Sequence, residues 1–287
     1  MQYRILGRTG LRVSEIGFGG AQVGIPNYME TWDPRGEREQ QTIVDALNRA
    51  LDLGLNYVDT APSYGDGTSE EVIGRVVGKR RDEIVLATKL SDYDHDSVIA
   101  SVEQSLRRLQ TDVIDVLQFH GGIYESDDLN TILNGGLKAL RKLRDQGKIR
   151  FLGFTAELPS GGVSTLIATG AFDVMQIRYN YTYQCACDFI NPRGVMREAE
   201  DQNMGIVIMR PLTSGIFQRL MARAFPEVAS ADLNAFLLNY VLSNPLVDVA
   251  IIGMRRAGEV EQNNALSDNT ALRLDLEEVH DRFFPGP

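Results

Sequence analysis

Apolar residues in this chain fall into short continuous runs separated by stretches in which they return every three or four positions. The runs lie at 13–20, 56–59, 83–89, 113–119, 149–154, 172–177, 205–209 and 247–252. Each has the length and β-branched content of a buried strand. Between them the spacing is helical. Over 37–53, Ile43, Ala46, Leu47, Ala50 and Leu51 share one face, and Gly54 follows as a C-cap. Further helices are predicted at 69–78 with Ser69 as N-cap, 96–109, 127–145, 159–169, 192–202, 215–224, 231–242 and 259–266. His95 and His280 fall on surface helices and have no assignable role.

Apolar strands that alternate with amphipathic helices imply a parallel sheet covered on both faces. Eight such units in 287 residues, with no linker between them, predict one closed (β/α)8 barrel, a single α/β domain over 1–287. The rival is an open doubly wound sheet. Against it, no G-x-G-x-x-G separates the first strand from the first helix.

In such a barrel the carboxyl ends of the strands face one another around one mouth. Asp59, Lys89 and His120 end strands two, three and four, and Tyr64 follows in the turn after Asp59. Taken alone, Asp59 fits an Asx-type turn equally well. A lysine closing an apolar strand changes that reading, because a buried ammonium needs a partner and Asp59 supplies one. A neighbouring ammonium is expected to lower the pKa of a tyrosine from its ordinary value near 10. His120 would hydrogen-bond a carbonyl oxygen and orient it toward Tyr64. The set makes an acid poised to protonate an oxygen, or to remove that proton in reverse.

Composition narrows the remaining possibilities. The net charge of −10 argues against a nucleic-acid partner, which would need a basic face. No apolar stretch is long enough to span a membrane, and the amino-terminal residues lack a signal-peptide core. Cys185 and Cys187 are one residue apart, too close for an unstrained bridge, so reduced thiols in a cytoplasmic chain are expected. Gly19 and Gly20 end the first strand and would let a ligand approach the backbone. Tyr28 and Trp32, in the long loop that follows, are candidate pocket walls.

With these residues in place, the chain resembles the aldo-keto reductases over nearly its whole length. The similarity begins at Leu6-Gly7-Arg8-Thr9-Gly10, passes through Asn56–Gly65, and reaches Ile252-Gly253-Met254-Arg255. The resemblance implies that Asp59, Tyr64, Lys89 and His120 form a catalytic tetrad. It also implies that a nicotinamide dinucleotide lies extended across the barrel mouth, exchanging hydride with a carbonyl or alcohol carbon of a small molecule.

The implied cofactor contacts are uneven. Gln176 matches the glutamine that bonds the nicotinamide amide. A usual Ser-Asn pair is replaced by Thr155-Ala156, and a stacking aromatic by Met209 or Arg210. Pro211, Leu212, Thr213, Ser214 and Gly215 resemble the loop that touches the pyrophosphate. In the adenosine-phosphate segment, which begins at Gly253, Arg255 and Arg256 would take a 2′-phosphate and Asn263 the adenine, while Glu259 would repel that phosphate. NADP(H) is the favoured cofactor, with NAD(H) the alternative. The departures at Ala156, Met209 and Glu259 resemble branches that oxidise sugars with NAD. A third class, a cofactor-sensing regulatory subunit, is compatible with an intact tetrad. Tyr179, after strand six, is expected to line the substrate pocket together with Tyr28 and Trp32.

Overall fold

A computed structural model of the chain describes residues 1–187, 193–228, 233–276 and 278. The expected helix starts at 192 and 231, and His280, lie outside the described residues.

The chain opens with an antiparallel hairpin, β1 (Tyr3–Ile5) and β2 (Arg12–Ser14). Eight parallel strands then close a barrel: β3 (Ile16–Gly19), β4 (Tyr57–Asp59), β5 (Val85–Leu90), β6 (Ile114–His120), β7 (Ile149–Ala156), β8 (Val174–Arg178), β9 (Gly205–Met209) and β10 (Val249–Gly253). Strand order follows the sequence, and β10 pairs with both β9 and β3 to complete the ring. Around it lie α1 (Ala21–Gly24), α2 (Glu37–Asp52), α3 (Thr68–Arg80), α4 (His95–Leu109), α5 (Ser126–Thr131), α6 (Leu137–Asp145), α7 (Gly161–Ala168), α8 (Val195–Asp201), α9 (Ile216–Ala224), α10 (Leu233–Leu242) and α11 (Ala257–Asp268). The face of α2 chosen by spacing is the face buried: Ile43, Ala46, Leu47, Ala50 and Leu51.

Three expectations are corrected. The run at 13–20 is two strands, because the chain turns at buried Glu15, whose carboxylate meets Arg4 (3.1 Å) and Arg273 (2.5 Å). The helix expected at 127–145 is α5 and α6 joined by a π-turn over Ile132–Gly136. Ser69 is not the N-cap of α3. Its hydroxyl donates to the Gly20 carbonyl (2.9 Å) and meets the Thr60 hydroxyl (2.8 Å), so it ties the helix to the strand ends.

At the amino-terminal end of the barrel the hairpin acts as a plug. Leu6 and Val13 pack among Tyr57, Val85, Val174 and Val249, the first residues of their strands, and Val207 of β9. Gly7 makes this possible. It has φ +43°, and a Cβ there would stand 2.2 Å from the Gly205 nitrogen. A repeated device fixes register above the plug. A short polar side chain at the foot of one strand accepts a hydrogen bond from a backbone N–H of the preceding strand. Asp115 accepts from Leu86 (2.8 Å), Asp173 from Leu152 (3.0 Å) and Asp248 from Ile206 (2.9 Å). Polar chemistry at this end is therefore spent on closure, and the opposite end is left for a ligand.

Candidate active site

Asp59 and Lys89 end adjacent strands, and the parallel register of β4 and β5 sets their side chains within reach of each other. Lys89 Nζ donates to Asp59 Oδ1 (2.7 Å) and Oδ2 (2.6 Å) and to the Thr60 carbonyl (2.9 Å). Both residues are buried. Burial works against the Lys89 ammonium, but the carboxylate beside it lifts its pKa above the ordinary lysine value. Asp59 is pushed up by the same burial while Lys89 draws it back. The bidentate contact keeps the two as an ion pair.

That pair supports the phenol. Lys89 Nζ lies 5.0 Å from the centroid of the Tyr64 ring. The Lys89 charge acts on Tyr64 in the expected direction, but burial is the larger effect, and the phenol stands above its ordinary pKa. The expected net lowering is therefore corrected: Tyr64 is a protonated donor at neutral pH. His120 meets the Tyr64 ring edge to face, with centroids 5.8 Å apart. Burial, reinforced by the Lys89 charge, lowers the imidazole to a pKa of about 4, so it is neutral at physiological pH. Its Nδ1 lies 3.3 Å from Ser63 Oγ.

Backbone contact fixes where Tyr64 stands. A Cβ added to Gly24 would fall 2.0 Å from the Tyr64 carbonyl oxygen, and one added to Gly65 would fall 2.0 Å from the Gly24 oxygen. The turn that carries the phenol thus lies directly on the end of α1. Gly20 plays a similar part. Its Cα faces the Asp59 carbonyl and the Ser69 and Thr60 hydroxyls, so it packs on the protein itself and lies outside the cavity lining.

A cavity of about 900 Å³ opens above these groups. Its deep end is bounded by Gly19, Asp59, Tyr64, His120 and Gln176. One wall is the segment after β9, from Met209 and Arg210 through Pro211, Leu212, Ser214 and Gly215. Arg210, Thr213 and Ser214 there hold positive φ values of 57°, 53° and 52°, an arrangement typical of ligand-contacting loops. The far wall runs from Gly253 through Arg255, Arg256 and Glu259 to Asn263. Tyr28 closes the cavity from the first long loop.

Besides Lys89 and Gly20, four expected residues lie outside the lining. Thr155 is buried and accepts from the Gly121 nitrogen (3.2 Å). Thr213 turns inward to Gln218 (3.1 Å). Tyr179 is buried behind β8, stacked on Tyr240 with their hydroxyls 3.2 Å apart. Trp32 is buried under the Arg255 guanidinium, 4.4 Å from its ring centroid, and so supports the far wall from behind. Substrate-pocket roles for Tyr179 and Trp32 do not fit these positions.

Three further groups that the sequence reading does not single out border the site. Gln118 is buried, and its Nε2 bridges Asp59 Oδ1 (3.4 Å) and Gln176 Oε1 (3.1 Å). It precedes His120 by two positions on β6, so strand alternation could have placed it inside. Glu157 pairs with Arg210 (2.7 Å) across the mouth. Glu30, from the first long loop, reaches both arginines of the far wall: Oε1 is 3.0 Å from Arg255 Nη1 and 3.0 Å from Arg256 Nη2. Glu259 accepts from the backbone nitrogens of Arg255 (2.6 Å) and Arg256 (3.1 Å), and from Arg256 Nη1 (3.0 Å). Asn263 donates to the Glu259 carbonyl (2.9 Å).

The chain is 28% identical to "L-galactose dehydrogenase" from Arabidopsis thaliana, over 96% of this chain and 92% of the relative. It is 26% identical to "Aldo-keto reductase YhdN" from Bacillus subtilis, over 98% and 92%. Among solved structures, an aldo/keto reductase from Klebsiella pneumoniae in complex with NADP and acetate superposes with a TM-score of 0.77. The two are 25% identical, with 100% of this chain and 97% of that one covered. The model of the Aldo/keto reductase family matches residues 15–280, and with the barrel and its mouth as described, the chain belongs to that family.

Proposed function

We propose that this oxidoreductase interconverts a carbonyl and an alcohol, with Tyr64 as general acid and base and a nicotinamide dinucleotide as partner. One observation carries the reading: a protonated phenol, a buried Lys89–Asp59 ion pair and a neutral imidazole converge at the deep end of one cavity. Because Nδ1 of His120 is taken up near Ser63, Nε2 is the nitrogen left to hold a substrate oxygen. Tyr64 then donates its proton to that oxygen. The Lys89 ammonium stabilises the phenolate left behind, and Asp59 keeps that ammonium in place. In the oxidative direction the phenolate takes the proton back.

The residues present fit a dinucleotide at both ends of the cavity. Gln176 offers an amide at the deep end, where Gln118 fixes one side of its head group. Arg256 and Asn263 stand at the other end. When bound, the dinucleotide supplies or accepts the hydride. NADP(H) is favoured by the two adjacent guanidiniums, which suit a phosphate, and by the NADP that the Klebsiella relative holds. NAD(H) is the second reading, and sugar or lactol oxidation goes with it. It is supported by Glu30 and Glu259, which already engage those guanidiniums, and by the similarity to a galactose dehydrogenase. A small-molecule carbonyl, sugar or alcohol is the substrate class.

Two measurements test the proposal together. Tyr64→Phe is expected to bind dinucleotide like the parent while turnover of a carbonyl panel falls by roughly 10²–10⁴-fold. Parent-like turnover would remove Tyr64 as the proton donor. Dissociation constants for NADPH and NADH decide between the cofactors, tighter NADPH binding being the expected result.

A further inference from the structure

We propose that Glu30 is an internal anion standing where the adenosine 2′-phosphate binds, and that cofactor discrimination is an exchange between that carboxylate and the incoming phosphate. The inference rests on the reading that Arg255 and Arg256 form the adenosine-phosphate site, and it deepens that reading.

The two arginines are not equivalent. Arg255 has a side chain only 2% exposed. Its Nε donates to the Gln22 carbonyl (3.0 Å) and its Nη2 to the Tyr28 carbonyl (3.0 Å), and its plane lies on Trp32. These contacts spend the guanidinium on holding α1 and the first long loop against the far wall. The donor that remains, Nη1, goes to Glu30 (3.0 Å). Arg256 is half exposed, and its Nη2 meets both Glu30 oxygens, at 3.0 and 3.1 Å. One carboxylate thus bridges two guanidiniums, as a phosphate bound at the same place would.

Glu30 is built to leave. Its side chain is 41% exposed. It sits in a loop outside the barrel strands, between α1 and α2. Burial is outweighed by the two arginines, so its carboxyl stands below the ordinary value and is charged at neutral pH. A 2′-phosphate brings more charge and more acceptor oxygens to the same donors and can displace it. A cofactor with a free 2′-hydroxyl has no such anion and leaves Glu30 in place. Glu259 is not free to leave in this way: its Oε1 also meets Arg256 Nη1 (3.0 Å), but its Oε2 is held by the backbone nitrogens of Arg255 and Arg256 at the start of α11.

The test needs no turnover. Adenosine 2′,5′-bisphosphate and adenosine 5′-monophosphate are titrated calorimetrically into the parent, Glu30→Gln, Glu30→Ala and Arg256→Ala. Removing the Glu30 charge should tighten the bisphosphate by on the order of ten-fold and leave the monophosphate within about two-fold. Trp32 is the sole tryptophan and packs on Arg255, so its emission should shift when the bisphosphate, but not the monophosphate, binds the parent. If the parent prefers the bisphosphate and Arg256→Ala abolishes that preference, yet neither Glu30 variant changes it, the exchange is refuted and the phosphate site stands. Equal shifts for both nucleotides in the Glu30 variants also refute it. If the bisphosphate has no advantage in any protein, the phosphate site falls, and the exchange falls with it.

Discussion

Tyr64 and His120 meet edge to face at 87°, with 5.8 Å between ring centroids, although 55 positions lie between them in the chain. The approach is produced by two separate constraints. β6 carries His120 to its last position, and Gly24 sets the height of the turn that carries Tyr64. The phenol is protonated and the imidazole neutral for the same reason, burial of both groups at the mouth.

The Gly24 contact can be probed directly. Gly24→Ala would set a methyl 2.0 Å from the Tyr64 carbonyl oxygen, and backbone cannot yield as a side-chain tip can. The phenol should move by a fraction of an ångström or more, with turnover down by on the order of 10²-fold. Gly161→Ala, where nothing lies within 4 Å, is the control and should keep parent-like rates. Steady-state kinetics on the two variants decide the matter.

The Lys89–Asp59 pair carries a stability cost when broken on one side. Lys89→Met leaves a buried carboxylate facing no cation, and should cost about 3–5 kcal/mol. Lys89→Met combined with Asp59→Asn should recover part of that loss. Denaturation midpoints of the parent, the two single variants and the double variant close the cycle. Additive single effects would mean that the ion pair contributes nothing of its own.

The His120 shift has a defined sign. Its pKa is depressed on folding, from 6.5 to about 4, so the unfolded chain binds more protons between those values. Stability from this residue is therefore complete above pH 6.5 and is lost as pH falls toward 4. In His120→Asn that part of the decline should vanish, which thermal melts at pH 7, 6, 5 and 4.5 would reveal as a shallower slope. Identical slopes in the two proteins would show that the imidazole is not held neutral by the fold.

Much of this was legible in the sequence because barrel strands advertise their ends. An apolar run that stops on Asp59, Lys89 or His120 specifies both a strand and a rim position. The foot of the barrel was harder to see. The run at 13–20 looks continuous, and only the three-dimensional pairing of Glu15 with Arg4 and Arg273 explains why it turns. Glu30 gave no signal, since one acid in a long loop does not announce a partner some 225 residues away. Gln118 gave a weak one, through its two-residue offset from His120. Tyr179 misled because an aromatic at a strand end fits packing as well as a pocket, and here Tyr240 takes it.

The plug formed by Leu6 and Val13 seals the amino-terminal end of a barrel whose interior is already packed. Among the described residues, what enters the cavity comes from the opposite end, where the loop held by Arg255 stands. The floor answers only to folding, so substitutions there should be felt as lost solubility or yield. Variation that alters what the protein accepts is confined to the lip.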